Sequence, residues 1–215
     1  MKPIDAYAHV VWDWNGTLFD DVWLCVDVMN GLLAARRMAL LTVDRYRELF
    51  DFPVKDYYRR LGFDFETEPF EEVGSEFIRS YESRRHEAGL KDGAVRVLES
   101  IGKAGAQQSV LSAYQQGTLE ELIDSFSLTR YFVRVVGLQD HYAHSKVENG
   151  VRWIQGLSHA PHDVLLVGDS VHDAEVAEAM GVDCILLRGG HQSQERLEAC
   201  GKPVLGSLED LVDSA

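Results

Sequence analysis

Three absences narrow the possible functions of this 215-residue chain. The sequence contains no run of about 18 apolar residues, so we expect no transmembrane helix. Its N-terminus also lacks the pattern of a signal peptide. The three cysteines are widely spaced and form no Cys-x-x-Cys pair, which argues against the common zinc and redox motifs. Together these absences predict a cytoplasmic protein with reduced thiols.

Positive charge is also scarce. The chain has 21 lysine and arginine residues against 35 aspartate and glutamate residues, so its formal net charge at pH 7 is −14. A surface this acidic argues against nucleic acid or an anionic membrane as the main partner. It also means that an anionic substrate needs a locally positive site, built from a metal ion, basic side chains or helix N-termini.

The residues that are present show two different periodicities. In residues 91–215 short apolar runs alternate with amphipathic helical patterns, and one further apolar run lies near the N-terminus. This alternation predicts an α/β fold, a doubly wound parallel sheet of the Rossmann-like type with helices on both faces. Residues 21–90 show only helical spacing. We therefore expect an α/β core formed by residues 1–20 and 91–215, with an inserted all-helical cap at 21–90.

Polar residues stand where predicted strands end or where a predicted helix begins. These residues are Asp13, Ser112, Lys146, Asp169 and Asp173. Taken singly, each has an ordinary structural explanation, such as a turn, a helix N-cap or a solvated surface group. The carboxyl ends of parallel strands meet at one edge of the sheet, so we expect these side chains to converge there.

This order of residues, with a helical insertion after the first strand, resembles the haloacid dehalogenase-like hydrolase superfamily, and most closely its phosphoglycolate phosphatase-like members with a helical cap. The resemblance implies that Asp13 is a nucleophile that becomes an aspartyl-phosphate. It also implies that Ser112 binds the phosphoryl group and that Lys146 is the family's lysine beside the nucleophile. The implied ligands of a Mg²⁺ cofactor are Asp13, the backbone carbonyl of Asn15, Asp169 and Asp173.

Substrate contacts are expected from the turn after Asp13, from the end of the Ser112 strand and from the cap. The candidates are Gly16, Thr17, Ala113, Tyr114, Lys55 and Arg59. Backbone N–H groups after Asp13 are suited to hold phosphoryl oxygens. Lys55 and Arg59 would meet a second anionic group, although a solvated cap surface also explains both. The expected partner is a small phosphorylated metabolite, bound by a monomer or a homodimer.

Asn15 departs from the family pattern, because most phosphatases of the superfamily carry Asp at this position. That Asp protonates the leaving oxygen and later activates water, and Asn can do neither. Three explanations stay open at this point. In the first, another group supplies the proton, with His172 the nearest candidate in sequence, or a good leaving group needs little protonation. Alternatively, the chemistry is similar to that of phosphonoacetaldehyde hydrolases, with Lys55 forming a Schiff base. In the third case the protein binds a phosphorylated ligand, or regulates a partner, with little turnover.

The other histidines are scattered along the chain. Most of them are expected in loops or on the surface: His9, His141, His144, His159, His162 and His191. His191 follows two glycines and a predicted core strand, so it is expected to lie near the edge of the site.

Overall fold

The computed structural model describes residues 2–138 and 146–213. His141 and His144 lie outside these described residues. None of the helices in the two described ranges is both long and apolar enough to cross a membrane.

The core is one parallel sheet. The strands of the described residues are β1 (His9–Trp12), β2 (Phe19–Asp20), β3 (Gly89–Leu90), β4 (Gln107–Gln115), β5 (Arg134–Leu138), β6 (Val164–Gly168), β7 (Asp183–Leu187) and β8 (Val204–Leu205). Six of them pair in the order β5-β4-β1-β6-β7-β8, and all five pairings are parallel. β1 is central and fully buried, as expected for a strand covered on both faces. The predicted parallel α/β core is confirmed.

Helices cover the sheet and fill the insertion. They are α1 (Val22–Ala35), α2 (Val43–Leu49), α3 (Val54–Leu61), α4 (Phe70–Arg84), α5 (Ala94–Lys103), α6 (Gln116–Ser125), α7 (Lys146–Ile154), α8 (Val171–Met180), α9 (Gln194–Ala199) and α10 (Asp210–Asp213). Helices α1 to α4 lie between β2 and β3 in the chain, and α1 packs against α4. We call these four helices and their connections the cap.

Alternation along β1 directs its side chains to two separate hydrophobic clusters. Val10 and Trp12 join a cluster that continues into the cap, where it includes Leu24 and Tyr58. Val11 points to the opposite face and packs in a second cluster, beneath α7 and α8. The cap therefore shares a hydrophobic core with one face of the sheet.

Local signals in the sequence mark the ends of cap helices correctly. The Thr42 hydroxyl accepts a hydrogen bond from the backbone N–H of Arg45 at 3.1 Å, so Thr42 is the N-cap of α2, a position that favours threonine. Gly62 ends α3 with a φ of 99°, a left-handed conformation that favours glycine.

Two features differ from the sequence prediction. Residues 21–90 are not entirely helical, because Gly89–Leu90 form a short strand that pairs antiparallel with Phe19–Asp20. This pairing ties together the two connections between core and cap. The short edge strand β8 was not predicted, because two residues are too few to show a periodicity.

Candidate active site

Asp13 lies at the carboxyl edge of the sheet, directly after central strand β1. Its backbone N–H donates to the carbonyl of Val167 at 2.9 Å, which fixes the chain beside β6. Its side chain is buried, with one carboxylate oxygen 2.5 Å from Nζ of Lys146. The other oxygen accepts a 3.3 Å hydrogen bond from the Thr17 hydroxyl. The carboxylate is therefore held in a single orientation.

Lys146 bridges two carboxylates. As the first residue of α7 it is buried, and its Nζ lies 2.5 Å from both Asp13 and Asp173. Burial alone would lower the pKa of Lys146, but the two carboxylates outweigh burial and raise it. The second oxygen of Asp173 accepts hydrogen bonds from the Ser170 hydroxyl and backbone as part of a capping box. The ammonium group is thus kept charged beside Asp13.

Asp169 completes a group of three carboxylates. It accepts hydrogen bonds from the Thr17 hydroxyl at 3.0 Å and from the backbone N–H of His191 at 2.5 Å. The loop of His191 approaches this closely because Gly190 has no side chain: a Cβ there would lie 2.1 Å from an Asp169 carboxylate oxygen.

This carboxylate group fits a magnesium ion. Oxygens of Asp13, Asp169 and Asp173 lie within 4.8 Å of one another, and all three residues are buried. Burial, together with the two neighbouring carboxylates, raises the pKa of Asp13 to about 8 despite Lys146. The site is therefore short of positive charge, and its ligands are hard oxygen atoms of the kind that Mg²⁺ prefers.

The predicted residues after β1 support the site rather than line its cavity. Gly16 donates its backbone N–H to Asp21 at 3.0 Å, and the Thr17 hydroxyl bridges Asp13 and Asp169. Neither residue is among those lining the cavity. The prediction that they contact substrate is not supported, because both groups are already engaged in positioning carboxylates.

The residues at the end of β4 do line the cavity. Ser112, Ala113 and Tyr114 face the same space as Asp13. The Ser112 hydroxyl accepts a hydrogen bond from the backbone N–H of Tyr114 at 3.1 Å. The Tyr114 hydroxyl donates to Glu82 of α4 at 2.6 Å, which links core and cap across the cavity.

Lys55 and Arg59 lie away from the cavity, contrary to the prediction. The Lys55 ammonium lies over the rings of Phe65 and Phe70 at 5.7 and 5.5 Å. Arg59 is exposed and pairs with Asp56 at 2.5 Å. The reason is helical geometry: Tyr57 occupies the buried face of α3, so residues 55 and 59, four apart, share the opposite side. Lys55 is therefore not available for a Schiff base in this cavity.

The amide of Asn15 is held by a carboxylate. Its Nδ2 donates to Asp21 at 2.8 Å and to the Tyr81 hydroxyl at 3.0 Å, and that hydroxyl donates to Asp21 at 2.7 Å. Burial would raise the pKa of Asp21, but His191 and these hydrogen bonds lower it to about 2. Asp21 is therefore ionised, and the neighbouring side chain at position 15 must be a donor.

His191 is a buried member of the site whose role the sequence did not reveal. Its Nε2 lies 3.3 Å from Asp21, and its Nδ1 lies 2.8 Å from the Tyr46 hydroxyl of α2. Burial would lower the pKa of His191, but Asp21 outweighs burial and raises it to about 9. The Gly-Gly-His sequence after a core strand was the one available signal. His191 lies in a loop at the site, as predicted, whereas His9 is buried in β1, so the prediction of a loop or surface position is wrong for His9.

His172 lines the cavity, but in the structure its partner is not Asn15. Its Nδ1 lies 3.2 Å from Glu175, and its ring lies 4.8 Å from that of Phe52. Its Nε2 is buried and has no hydrogen-bond partner among the described residues.

The cavity between core and cap has a volume of about 230 Å³. Its core side is polar, with Asp13, Ser112, Lys146 and Asp169. Its cap side is mainly aromatic, and the rings include Tyr46, Phe52, Tyr57, Phe70, Phe77 and Tyr81. A substrate is therefore bounded by charge at one end and by rings at the other.

Comparison with known proteins identifies the family. The model of the haloacid dehalogenase-like hydrolases matches residues 10–187. Phosphoglycolate phosphatase 1 of Pseudomonas aeruginosa is 25% identical over 96% of this chain and 79% of its own length. A haloacid dehalogenase-like hydrolase from Streptococcus pneumoniae superposes with a TM-score of 0.83, at 14% identity and over 97% of this chain and 98% of its own.

A third similar protein bears a different name. The solved structure of protein tyrosine kinase A (PtkA) of Mycobacterium tuberculosis has a TM-score of 0.81 at 21% identity, over 97% of this chain and 98% of its own. At that identity the similarity concerns the fold alone. On the match to the family model and the similarity to phosphoglycolate phosphatases, the chain belongs to the haloacid dehalogenase-like hydrolase family, in its phosphoglycolate phosphatase-like branch.

Proposed function

We propose that this protein is a Mg²⁺-dependent phosphatase that hydrolyses a small phosphorylated metabolite through a phospho-Asp13 intermediate. The observation that carries the proposal is the position of Asp13 at the cavity wall, beside Lys146 and within 4.8 Å of the carboxylates of Asp169 and Asp173. Phosphoryl transfer depends mainly on positioning and charge stabilisation, and these residues provide both.

The side chains divide the work of the first step. One carboxylate oxygen of Asp13 attacks phosphorus, while Thr17 keeps the carboxylate oriented. Lys146 and the Ser112 hydroxyl stabilise charge on the phosphoryl oxygens. Asp13, Asp169, Asp173 and the Asn15 carbonyl would hold Mg²⁺. The ion would supply the positive charge that lets a carboxylate approach a phosphate dianion.

With Asn15 in place of the usual Asp, the leaving group must depart without a proton from this position. An amide neither protonates the leaving oxygen nor accepts a proton from water, and loss of such a group typically costs about 10²–10⁴-fold in rate. His172 remains the candidate replacement, because it lines the cavity and its Nε2 has no partner among the described residues. The Schiff-base alternative loses its support with the position of Lys55.

A second candidate function is a phospho-ligand-binding or regulatory protein with low turnover. The observation that favours it is Asn15 itself, an amide that cannot transfer a proton and whose Nδ2 donates to Asp21 and Tyr81. The remaining predictions are unchanged: neither nucleic acid nor membrane as a partner, a cytoplasmic location, and a monomer or homodimer.

Removal of the nucleophile tests the proposal. Purified protein with Mg²⁺ is assayed for phosphate release from a panel of phosphate monoesters and acetyl phosphate. Asp13→Asn is expected to lower kcat by more than about 10³-fold. Asp56→Asn, an exposed cap carboxylate that pairs with Arg59, is the matched control and should leave kcat unchanged.

Two results would count against the phosphatase. Activity that survives Asp13→Asn would show that the nucleophile is wrong. A wild-type protein that releases phosphate from no compound, yet binds orthovanadate or inorganic phosphate, would favour the binding protein.

A further inference from the structure

We propose that the substrate is the phosphate ester of an uncharged phenol-type alcohol, with its aromatic ring bound against the cap and its phosphoryl group at Asp13. This inference rests on the proposed phosphatase function and narrows its substrate class. Three independent features of the cavity support it: its rings, the absence of a counter-charge on the cap side, and the amide at position 15.

The cap wall is built to bind a ring. Of the residues that line the cavity, fourteen belong to the cap, and eight of these are aromatic. These rings pack edge to face, as Tyr57 does against Tyr46 at 5.8 Å and Tyr58 against Phe70 at 5.6 Å. Aromatic rings favour edge-to-face and offset contacts with a further ring, in addition to the hydrophobic gain from its burial. A wall of aromatic rings makes few favourable contacts with a short metabolite whose groups are all charged.

The cap offers no counter-charge for a second anionic group. None of the fourteen cap residues that line the cavity is a lysine or arginine. Basic residues close to these positions have other contacts: Arg59 pairs with Asp56, Arg85 pairs with Glu82 and Glu121, and Lys55 lies over the rings of Phe65 and Phe70. No lysine or arginine of the cap would offset the desolvation of a carboxylate buried against this wall. Substrates that carry a carboxylate beside the phosphate, such as phosphoglycolate, are therefore disfavoured.

The hydroxyl of Tyr57 in the cap wall is available to bind a polar substituent on the substrate's ring. Tyr57 is 2% exposed and lines the cavity, and its hydroxyl has no hydrogen-bond partner among the described residues. Buried polar groups are nearly always satisfied, so an unpaired one in a cavity wall indicates a ligand atom. A hydroxyl or carbonyl substituent on the ring would satisfy it.

The amide at position 15 selects for the same class. When Asp13 attacks phosphorus, the bond between phosphorus and the leaving oxygen breaks, and its electron pair stays on that oxygen. A phenol, with a pKa of about 10 as in tyrosine, can leave as phenolate and take its proton from solvent. Water then attacks phospho-Asp13, the carboxylate leaves, and the proton lost by water passes to phosphate or solvent. An aliphatic alcohol is far less acidic and would need a general acid, which Asn15 cannot be, so such a substrate would depend on His172.

A comparison of three substrates tests the inference on the wild-type protein. 1-Naphthyl phosphate carries the ring and a phenolic leaving group. Acetyl phosphate has a better leaving group but no ring, and phosphoglycolate adds a carboxylate. We expect kcat/KM to be at least about tenfold higher for naphthyl phosphate than for either other compound, the factor that corresponds to one good aromatic contact.

A variant pair assigns the preference to the cavity wall. Phe77→Leu shortens a ring that lines the cavity, whereas Phe65→Leu makes the same change in a cap ring outside it. Phe77→Leu should lower kcat/KM for naphthyl phosphate by about tenfold through KM and leave acetyl phosphate within about twofold. Phe65→Leu should leave both values unchanged.

The failures of the two proposals are distinguishable. If acetyl phosphate or phosphoglycolate is preferred over naphthyl phosphate, this inference is wrong and the phosphatase function stands. If none of the three releases phosphate, the proposed function itself is overturned, and this inference with it. An equal loss with Phe65→Leu would show that the cavity wall is not the source of specificity.

Discussion

Asn15 and Asp21 form a buried donor–acceptor pair in which the carboxylate stands at position 21. Asp21 accepts from the Asn15 amide, the Tyr81 hydroxyl and the Gly16 backbone, and it faces His191 at 3.3 Å. An ionised carboxylate with this many donors is strongly stabilised. Position 15 is therefore constrained by a negative charge that the family pattern alone does not reveal.

Reversal of this pair is the sharpest test at the residue scale. Asn15→Asp sets a second carboxylate against Asp21 and removes its donor, so we expect a loss of roughly 2–3 kcal/mol in the free energy of unfolding. Its activity on aliphatic phosphates should not rise. In the double variant Asn15→Asp/Asp21→Asn the amide at position 21 donates to the carboxylate at position 15, which reverses the wild-type hydrogen bond. The double variant should recover most of the free energy of unfolding. Its rate on substrates with poor leaving groups should exceed that of the wild type by about 10²-fold.

Urea unfolding and steady-state kinetics give both quantities. Asp20→Asn is the matched control for the second substitution, because Asp20 is half-exposed and pairs with Lys91 at the surface. When Asp20→Asn is combined with Asn15→Asp, neither the stability nor the activity should recover. If Asn15→Asp alone keeps its stability and gains activity, then Asp21 does not constrain position 15.

His9 predicts how stability depends on pH. Burial, with a smaller effect from His159, lowers the pKa of His9 from 6.5 to about 4. Below pH 6.5 the unfolded chain takes up a proton at this residue that the folded protein does not. The free energy of unfolding therefore falls as pH drops from 6.5 towards 4, by at most about 1.4 kcal/mol per pH unit, and this contribution is absent above 6.5.

His9→Gln keeps a polar group near the Ser109 hydroxyl, which lies 3.0 Å from Nε2, but it does not titrate. Urea unfolding at pH 7.5 and 4.5 should show a smaller acid loss for this variant than for the wild type. His162→Gln, at an exposed histidine, should match the wild type at both values. Equal acid losses in wild type and His9→Gln would contradict the assignment.

At the scale of secondary-structure elements, helix α2 contributes a side chain to the site, so the stability of this helix bears on the site. The helix carries Tyr46, whose hydroxyl lies 2.8 Å from His191, and it begins at the Thr42 N-cap. Thr42→Ala removes the acceptor for the Arg45 N–H and should cost about 1 kcal/mol of unfolding free energy. Thr42→Ser keeps the hydroxyl and should cost only a few tenths. The urea midpoints of the two variants measure this difference. An equal loss in both would mean that the hydrogen bond from the Arg45 N–H to the Thr42 hydroxyl contributes nothing to stability.

At the scale of the whole molecule, the excess of buried carboxylates predicts stabilisation by the metal. Mg²⁺ that binds only the folded protein, at 100 times its Kd, adds about 2.7 kcal/mol to the free energy of unfolding. Thermal unfolding should therefore shift upward with MgCl₂, but not with KCl at equal ionic strength. Asp169→Asn should reduce this shift, whereas Asp163→Asn, at a partly exposed carboxylate just before β6, should preserve it. A Tm and an activity unaffected by a chelator would remove the case for the ion.

The sequence by itself determined the parallel α/β core, the presence of helices after its first strand and the strand-end positions of Asp13 and Asp169. Ser112 was predicted to end a strand, but β4 continues to Gln115. The correct predictions follow from local information: periodicity, apolar runs and the turn residues that end them, all read within about ten residues. The same holds for Thr42 and Gly62, because caps depend on their nearest neighbours in the chain.

Only the tertiary structure decided what faces the substrate. It turned Lys55 and Arg59 away from the cavity, since Tyr57 takes the buried side of α3. It also brought His191 and Tyr81 to Asp21, across 170 and 60 positions of the sequence. Such contacts depend on how cap and core pack, and no local pattern encodes the packing of segments so far apart in the chain.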